Sequence, residues 1–357
     1  MPAFTLVDQP DSFISQLDDL DHVGVDTEFM REKTFFAELC LVQISTGEDI
    51  YCVDPLNGHG MDEFWTDLMR KTWVIHSGRQ DIEVIYQTAG KMPLKMFDTQ
   101  IAAGLLGYAP QMGYATLVKE LFNVEIAKSH TRADWSRRPL SDAVLQYAAE
   151  DVEYLLPAFE SLAESLDKKA RLGWAEEDSA QLLNPSLYDM DPNLAIERMK
   201  GAKNLRGKRR ASAARLAAWR ESEALRANRP RQWIARDSLL LELATALPTR
   251  VDELSGIDGL PAGLIRRSGK ALVAAIAASV SDENNYAPPL PPNESQKVLL
   301  KSMQKQVADC AADLGLAAET VASKRDLSAI IFGGDRTSKV LGGWRHDVIG
   351  ERLLELL

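Results

Sequence analysis

Along this chain of 357 residues the pattern of apolar and polar positions changes character near residue 185. Before that point, short apolar runs rich in β-branched residues alternate with stretches of helical period; from Lys208 onward only the helical period persists. The run from Val23 to Val25 opens the first buried strand, and Leu39-Cys-Leu-Val-Gln-Ile44 and Ile50-Tyr-Cys-Val53 read as two more. Between those two, Ser-Thr-Gly-Glu-Asp has the turn composition of an antiparallel hairpin. Asp62 to Met69 reads as a helix and Thr72-Trp-Val-Ile75 as a strand. That strand gives way at His76-Ser-Gly-Arg-Gln-Asp81 to a helical period carried by Ile82, Val84, Ile85 and Tyr86. Met96-Phe97 predicts a short strand feeding a helix that Asp98 would cap, and one long amphipathic helix is expected over roughly 141–165. Mixed strands and helices with a hairpin predict an α/β domain with a mixed sheet over residues 1–190.

Asn184-Pro185 and Asp191-Pro192 introduce a connector, placed at 191–204. Two small all-α domains are expected beyond it, at 205–281 and 294–357, joined by a proline-rich linker at 282–293. They look like copies of one unit. Ala235-Arg-Asp237-Ser-Leu239 echoes Lys324-Arg-Asp326-Leu327, and Gly269-Lys-Ala-Leu272 echoes Gly350-Glu-Arg-Leu353.

Composition narrows the class of protein. With 45% hydrophobic and 26% charged residues, the chain is globular and long enough for two or three domains. No apolar run approaches membrane-spanning length, and the opening Met-Pro-Ala-Phe-Thr-Leu-Val-Asp lacks an export signal, so a cytoplasmic protein is expected. Cys40, Cys52 and Cys310 suggest neither a disulfide framework nor a zinc finger. The net charge of −11 speaks against a nucleic-acid partner, but between Ile196 and Arg236 thirteen Lys or Arg face three Asp or Glu. Such a block in an acidic chain is either a polyanion-binding face or a solvated helix.

The candidate chemistry lies in the carboxylates. Asp26 and Glu28 end the first strand two positions apart and therefore share a face, where their like charges repel. A divalent metal would reverse that repulsion. Asp81 begins a helix beside that strand, and Tyr147 and Asp151 stand one helical turn apart. Four carboxylates with one phenol suit two hard ions, Mg²⁺ or Mn²⁺, acting on a phosphodiester.

Val25-Asp26-Thr-Glu28-Phe29, Asp81 and Tyr147-x-x-x-Asp151 resemble the three motifs of the DEDD exonucleases in their tyrosine branch. Asp134-Trp135-Ser-Arg-Arg-Pro139-Leu140 resembles a loop of the ribonuclease D family, and the helical pair resembles its two helicase-and-ribonuclease-D C-terminal (HRDC) domains. The resemblance implies a ribonuclease H-like fold and 3′→5′ release of 5′-mononucleotides from RNA with a free 3′ end, tRNA precursors included. No membrane or obligate protein partner is implied. By the same resemblance Asp26 would bridge two metals, Glu28 and Asp151 would hold the ion beside the attacking water, Asp81 would help place the other, and Tyr147 would orient that water. Thr27, Phe29, Met30, His76 and Trp135 would contact substrate. Lys208, Arg209, Arg210, Arg215 and Arg220 are expected to grip the RNA backbone, and the charge-balanced final domain to close the architecture. A DNA exonuclease and a non-catalytic RNA-binding protein remain the alternatives.

Overall fold

The computed structural model describes residues 3–10, 17, 19–58, 60–126, 133–279, 285–286 and 290–357. Six strands make one mixed sheet: β1 (Phe4–Val7), β2 (His22–Met30), β3 (Glu38–Ser45), β4 (Ile50–Val53), β5 (Thr72–Ile75) and β6 (Lys95–Asp98), in the order β1-β4-β3-β2-β5-β6. The β2–β3 and β3–β4 pairs are antiparallel, as the hairpin composition predicts, and the other three are parallel. Helices α1 (Met61–Leu68), α2 (Arg79–Ala89), α3 (Thr99–Leu106), α4 (Tyr114–Phe122), α5 (Asp142–Glu153), α6 (Leu155–Asp167) and α7 (Leu172–Gln181) accompany the sheet. Gly24 lets α6 come close: a Cβ there would meet Ser45 Cβ at 3.1 Å and Leu155 Cβ at 3.2 Å.

The single helix expected over 141–165 is two helices. Tyr154 leaves helical geometry (φ −104°, ψ 8°) between α5 and α6. Pro157 supplies the reason, since it has no N–H for the Glu153 carbonyl and its ring crowds that oxygen. The Tyr154 N–H donates instead to the Tyr114 hydroxyl at 2.9 Å.

Beyond a connector built of 3₁₀ turns come α8 (Gly207–Ala227), α9 (Arg231–Ile234), α10 (Asp237–Ala246) and α11 (Ala262–Ala278), then α12 (Glu294–Leu314), α13 (Ala318–Val321) and α14 (Lys324–Gly333). The first three helices of each set have equal lengths and start 87 residues apart, at 207 and 294, 231 and 318, 237 and 324. Left-handed caps keep the same spacing at Asn228 and Gly315 and at Leu247 and Gly334. That register corrects one of the two sequence echoes. Asp237 aligns with Lys324 rather than with Asp326, and the buried Leu240 aligns with the buried Leu327. The glycine echo has a packing basis: a Cβ at Gly269 would meet Val251 at 3.1 Å, and one at Gly350 would meet the Val340 carbonyl at 2.8 Å.

Two compact units result. Met1–Met30, Glu38–Tyr188 and Pro292–Leu357 form one; Arg31–Ala37 and Asp189–Pro291 form the other. The segment expected as a separate domain at 294–357 therefore shares a unit with the sheet. Its Met303, Val307 and Leu327 lie in one buried cluster with Leu105, Leu117 and Leu162. The contact is also polar: Arg345 forks onto Asp178 (2.8 Å from Nη2 to Oδ2), and the Trp174 and Trp344 rings stack at 4.3 Å. Half of the linker expected at 282–293 falls outside the described residues. Among the described residues no helix is long and apolar enough to cross a membrane.

Candidate active site

Strand alternation turns Asp26 and Glu28 to one face of the central strand β2, and α5 meets them with Asp151. Ala148 and Ala149, fully buried, keep the inner side of α5 small enough for the helix to lie close to the strands. Carboxylate oxygens of Asp26, Glu28 and Asp151 lie within 4.8 Å of one another. Asp81 approaches from the first turn of α2, which begins at the same end of the sheet because β5 runs parallel to β2. Its Oδ1 accepts the Thr27 hydroxyl at 2.5 Å.

The start of α2 is itself clamped. Asp98, 1% exposed, caps α3 as expected by accepting from the backbone N–H of Gln100 (2.8 Å) and Ile101 (3.3 Å). It also accepts from Ser77 N–H (3.1 Å) and Gly78 N–H (2.9 Å), fixing the turn from which Asp81 projects. Ser77 has φ +60°, a conformation that an L-residue keeps only when its surroundings hold it.

Such a cluster resists ionisation. Burial, and then the charges of Asp81, Asp151 and Glu28, hold the Asp26 carboxyl well above its usual pKa. Glu28 is pushed up to about 8 by burial and by Asp151 and Asp81. Burial also raises Asp81 and Asp151 to about 6, against the opposing hydrogen bonds from Thr27 and Tyr147 respectively. The Tyr147 phenol is raised by burial and by Asp151 and Glu28, so it keeps its proton and donates a hydrogen bond to Asp151. A dense set of oxygen donors that repel one another fits a hard divalent cation, whose charge turns the repulsion into attraction.

Residues 3–167 match the family described as 3′-5′ exonuclease, and residues 209–276 match the HRDC domain. Ribonuclease D of Acidiphilium cryptum is 38% identical to this chain, covering 94% of it and 87% of the relative. Ribonuclease D of a Jannaschia species is 37% identical, covering 99% and 95%. The chain belongs to the ribonuclease D family. It is accordingly a hydrolytic 3′→5′ exoribonuclease, built on a fold that generally depends on divalent metal. The crystal structure of Escherichia coli RNase D, an exoribonuclease involved in structured RNA processing, aligns with a TM-score of 0.89 at 26% identity, covering 99% of this chain and 98% of that one.

Three of the residues expected to contact substrate have their side chains engaged within the protein. The Thr27 side chain is buried and spent on Asp81. His76 engages Thr99 Oγ1 and the Met112 carbonyl, each at 2.9 Å, through its two ring nitrogens. Trp135 is 3% exposed, so it is no rim residue; it packs with Cys40, Cys52 and Leu145, its ring 6.3 Å from that of Tyr147. Phe29 and Met30 remain half-exposed at the end of β2, past a bulge in the pairing between Glu28 and Phe29. Sequence reasoning missed Arg138, whose guanidinium binds both Asp54 oxygens (2.6 and 2.7 Å) and the carbonyls of Cys40 and Trp135 (2.7 Å each), tying the loop that carries Trp135 to β3. An arginine beside a proline in that loop was the available signal.

The basic helix needs a larger correction. Arg220 is 3% exposed and bonded to Asp237 (2.6 Å) and the Ala235 carbonyl (3.0 Å), while Arg210 is held by the carbonyls of Ala202 and Tyr286. Arg215 is partly buried. Lys208 and Arg209 are exposed. Helical period decides which side of α8 faces the core, and charge alone does not reveal it.

Proposed function

We propose that Asp26, Glu28, Asp81 and Asp151 hold two divalent ions, Mg²⁺ or Mn²⁺, and that the enzyme trims RNA 3′ ends, tRNA precursors among them, in the cytoplasm. The observation that carries this reading is the approach of three carboxylates to within 4.8 Å of one another, with the fourth raising the pKa values of Asp26 and Glu28 from α2. When bound, the ions supply a more acidic attacking water and compensate charge on the leaving oxygen. In this reading Asp26 would serve both ions, Glu28 and Asp151 one of them, and Asp81, steadied by Thr27, the other. Tyr147, protonated, orients the water through the same face of α5 and does not act as its base. Phe29 and Met30 receive the terminal nucleotides beyond β2. The HRDC domain at 205–281 adds backbone contacts through Lys208 and Arg209; such contacts give affinity with little sequence selection. The segment at 294–357, a second HRDC-like set of helices within the unit of the sheet, is charge-balanced and serves as scaffold.

The test is turnover of a labelled tRNA precursor and a DNA of matched sequence by Asp26→Asn and Asp151→Asn. Both variants are expected to lose at least about 10³-fold in kcat while RNA binding stays within about threefold. Near-native turnover in either would remove the reading.

A further inference from the structure

Gln43 lies in the middle of β3, paired with Asp26 on one side and with Cys52 of β4 on the other. Directly paired residues on antiparallel strands share a face, with Cβ atoms roughly 5 Å apart. That face is the one α5 covers, since Cys52 packs in one cluster with Leu145 and Ala148. Gln43 therefore stands beside Asp26, beneath the helix that carries Tyr147 and Asp151. It is 0% exposed, and among the described residues neither Oε1 nor Nε2 has a hydrogen-bond partner. Folds do not keep such groups without cause: a buried amide that bonds nothing opposes folding, and leucine would fill the same space. The Asp26 carboxylate beside it accepts hydrogen bonds, and a primary amide offers two N–H donors together with a carbonyl for water.

We propose that Gln43 is a positioning residue of the hydrolytic site, its amide holding the Asp26 carboxylate through one water in the orientation that divalent ions require. This rests on Asp26 being a metal ligand. Residues that orient ligands are worth tenfold or more in metal affinity or activity, although they touch no ion.

The experiment is Gln43→Leu in the full chain, with Gln43→Met as the second variant should the first not fold, compared with Asp26→Asn. Three quantities are read: calorimetric Mn²⁺ affinity without RNA, the Tm of the metal-free protein, and kcat and KM on a labelled RNA. Gln43→Leu is expected to weaken Mn²⁺ binding about tenfold and lower kcat about tenfold, with KM within about threefold. The same change is expected to raise the metal-free Tm by about 2–4 °C, because an unpartnered amide has gone. A merely structural glutamine would not weaken metal binding while stabilising the fold. Mn²⁺ affinity and kcat within twofold of the parent would overturn the proposal, as would a lower Tm with unchanged Mn²⁺ affinity. If Asp26→Asn itself retains Mn²⁺ binding and turnover, the metal reading fails first; if only Gln43→Leu behaves like the parent, the role of Gln43 alone is lost.

Discussion

Glu28 shows most directly how the acidic cluster conflicts with the fold that holds it. Its carboxyl is raised to about 8, and those of Asp81 and Asp151 to about 6, above the ordinary carboxylate range near 4. The folded protein thus binds protons more tightly than the unfolded chain does. The stability these groups contribute is complete below about pH 4 and is lost as pH rises through 6 to 8. Metal-free protein is expected to melt several degrees lower at pH 8.5 than at pH 5.5, and millimolar Mg²⁺ or Mn²⁺ to reverse that slope. Thermal melts at both pH values with and without Mn²⁺ check this; a Tm that rises with pH in the absence of metal would contradict it. The pairing of Asp26 with Glu28 was legible because strand alternation is a local rule. The fates of Thr27 and His76 were not: their partners lie on other elements, 54 and 36 positions away in the cases of Asp81 and Met112.

Among the elements, α5 and α6 show how a visible signal can be outweighed by a strong pattern. The apolar period runs unbroken from Ser141, yet Pro157 lies inside it, and the chain breaks one turn earlier, where the Tyr114 hydroxyl takes up the freed N–H. The helical repeat was legible as a repeat, but its first echo was read two residues out of register, because Arg-Asp before leucine is a common way to start a helix. Equal helix lengths and left-handed caps fix the true spacing. The attachment of the last helices to the sheet was not legible, because it depends on Arg345 meeting Asp178, 167 positions away, with both side chains nearly buried. Removing one partner of such a pair leaves a charge buried alone. Arg345→Met is expected to destabilise the protein by about 3–5 kcal/mol, lowering the urea midpoint. A midpoint unchanged from the parent would show that the ion pair contributes nothing to holding this segment.

For the molecule as a whole, charge is divided in a way the net value conceals: +10 between residues 196 and 236, and −21 elsewhere. The structure divides that basic block again, into cations that build the helical unit and cations that face solvent. Lys208→Ala with Arg209→Ala is expected to lower the salt slope of RNA binding by about 1.4, and Arg220→Ala to lower Tm while leaving the slope unchanged. Equal slopes for the parent and the double variant, measured by fluorescence anisotropy across a salt series, would take α8 out of RNA binding. Where divalent ions settle on the protein decides whether the four carboxylates form a two-metal site. Anomalous diffraction from crystals soaked in Mn²⁺ measures this directly. Two peaks about 3.5–4 Å apart are predicted, both touched by Asp26, one also by Glu28 and Asp151 and the other beside Asp81. Manganese bound only at sites remote from these four carboxylates would contradict it.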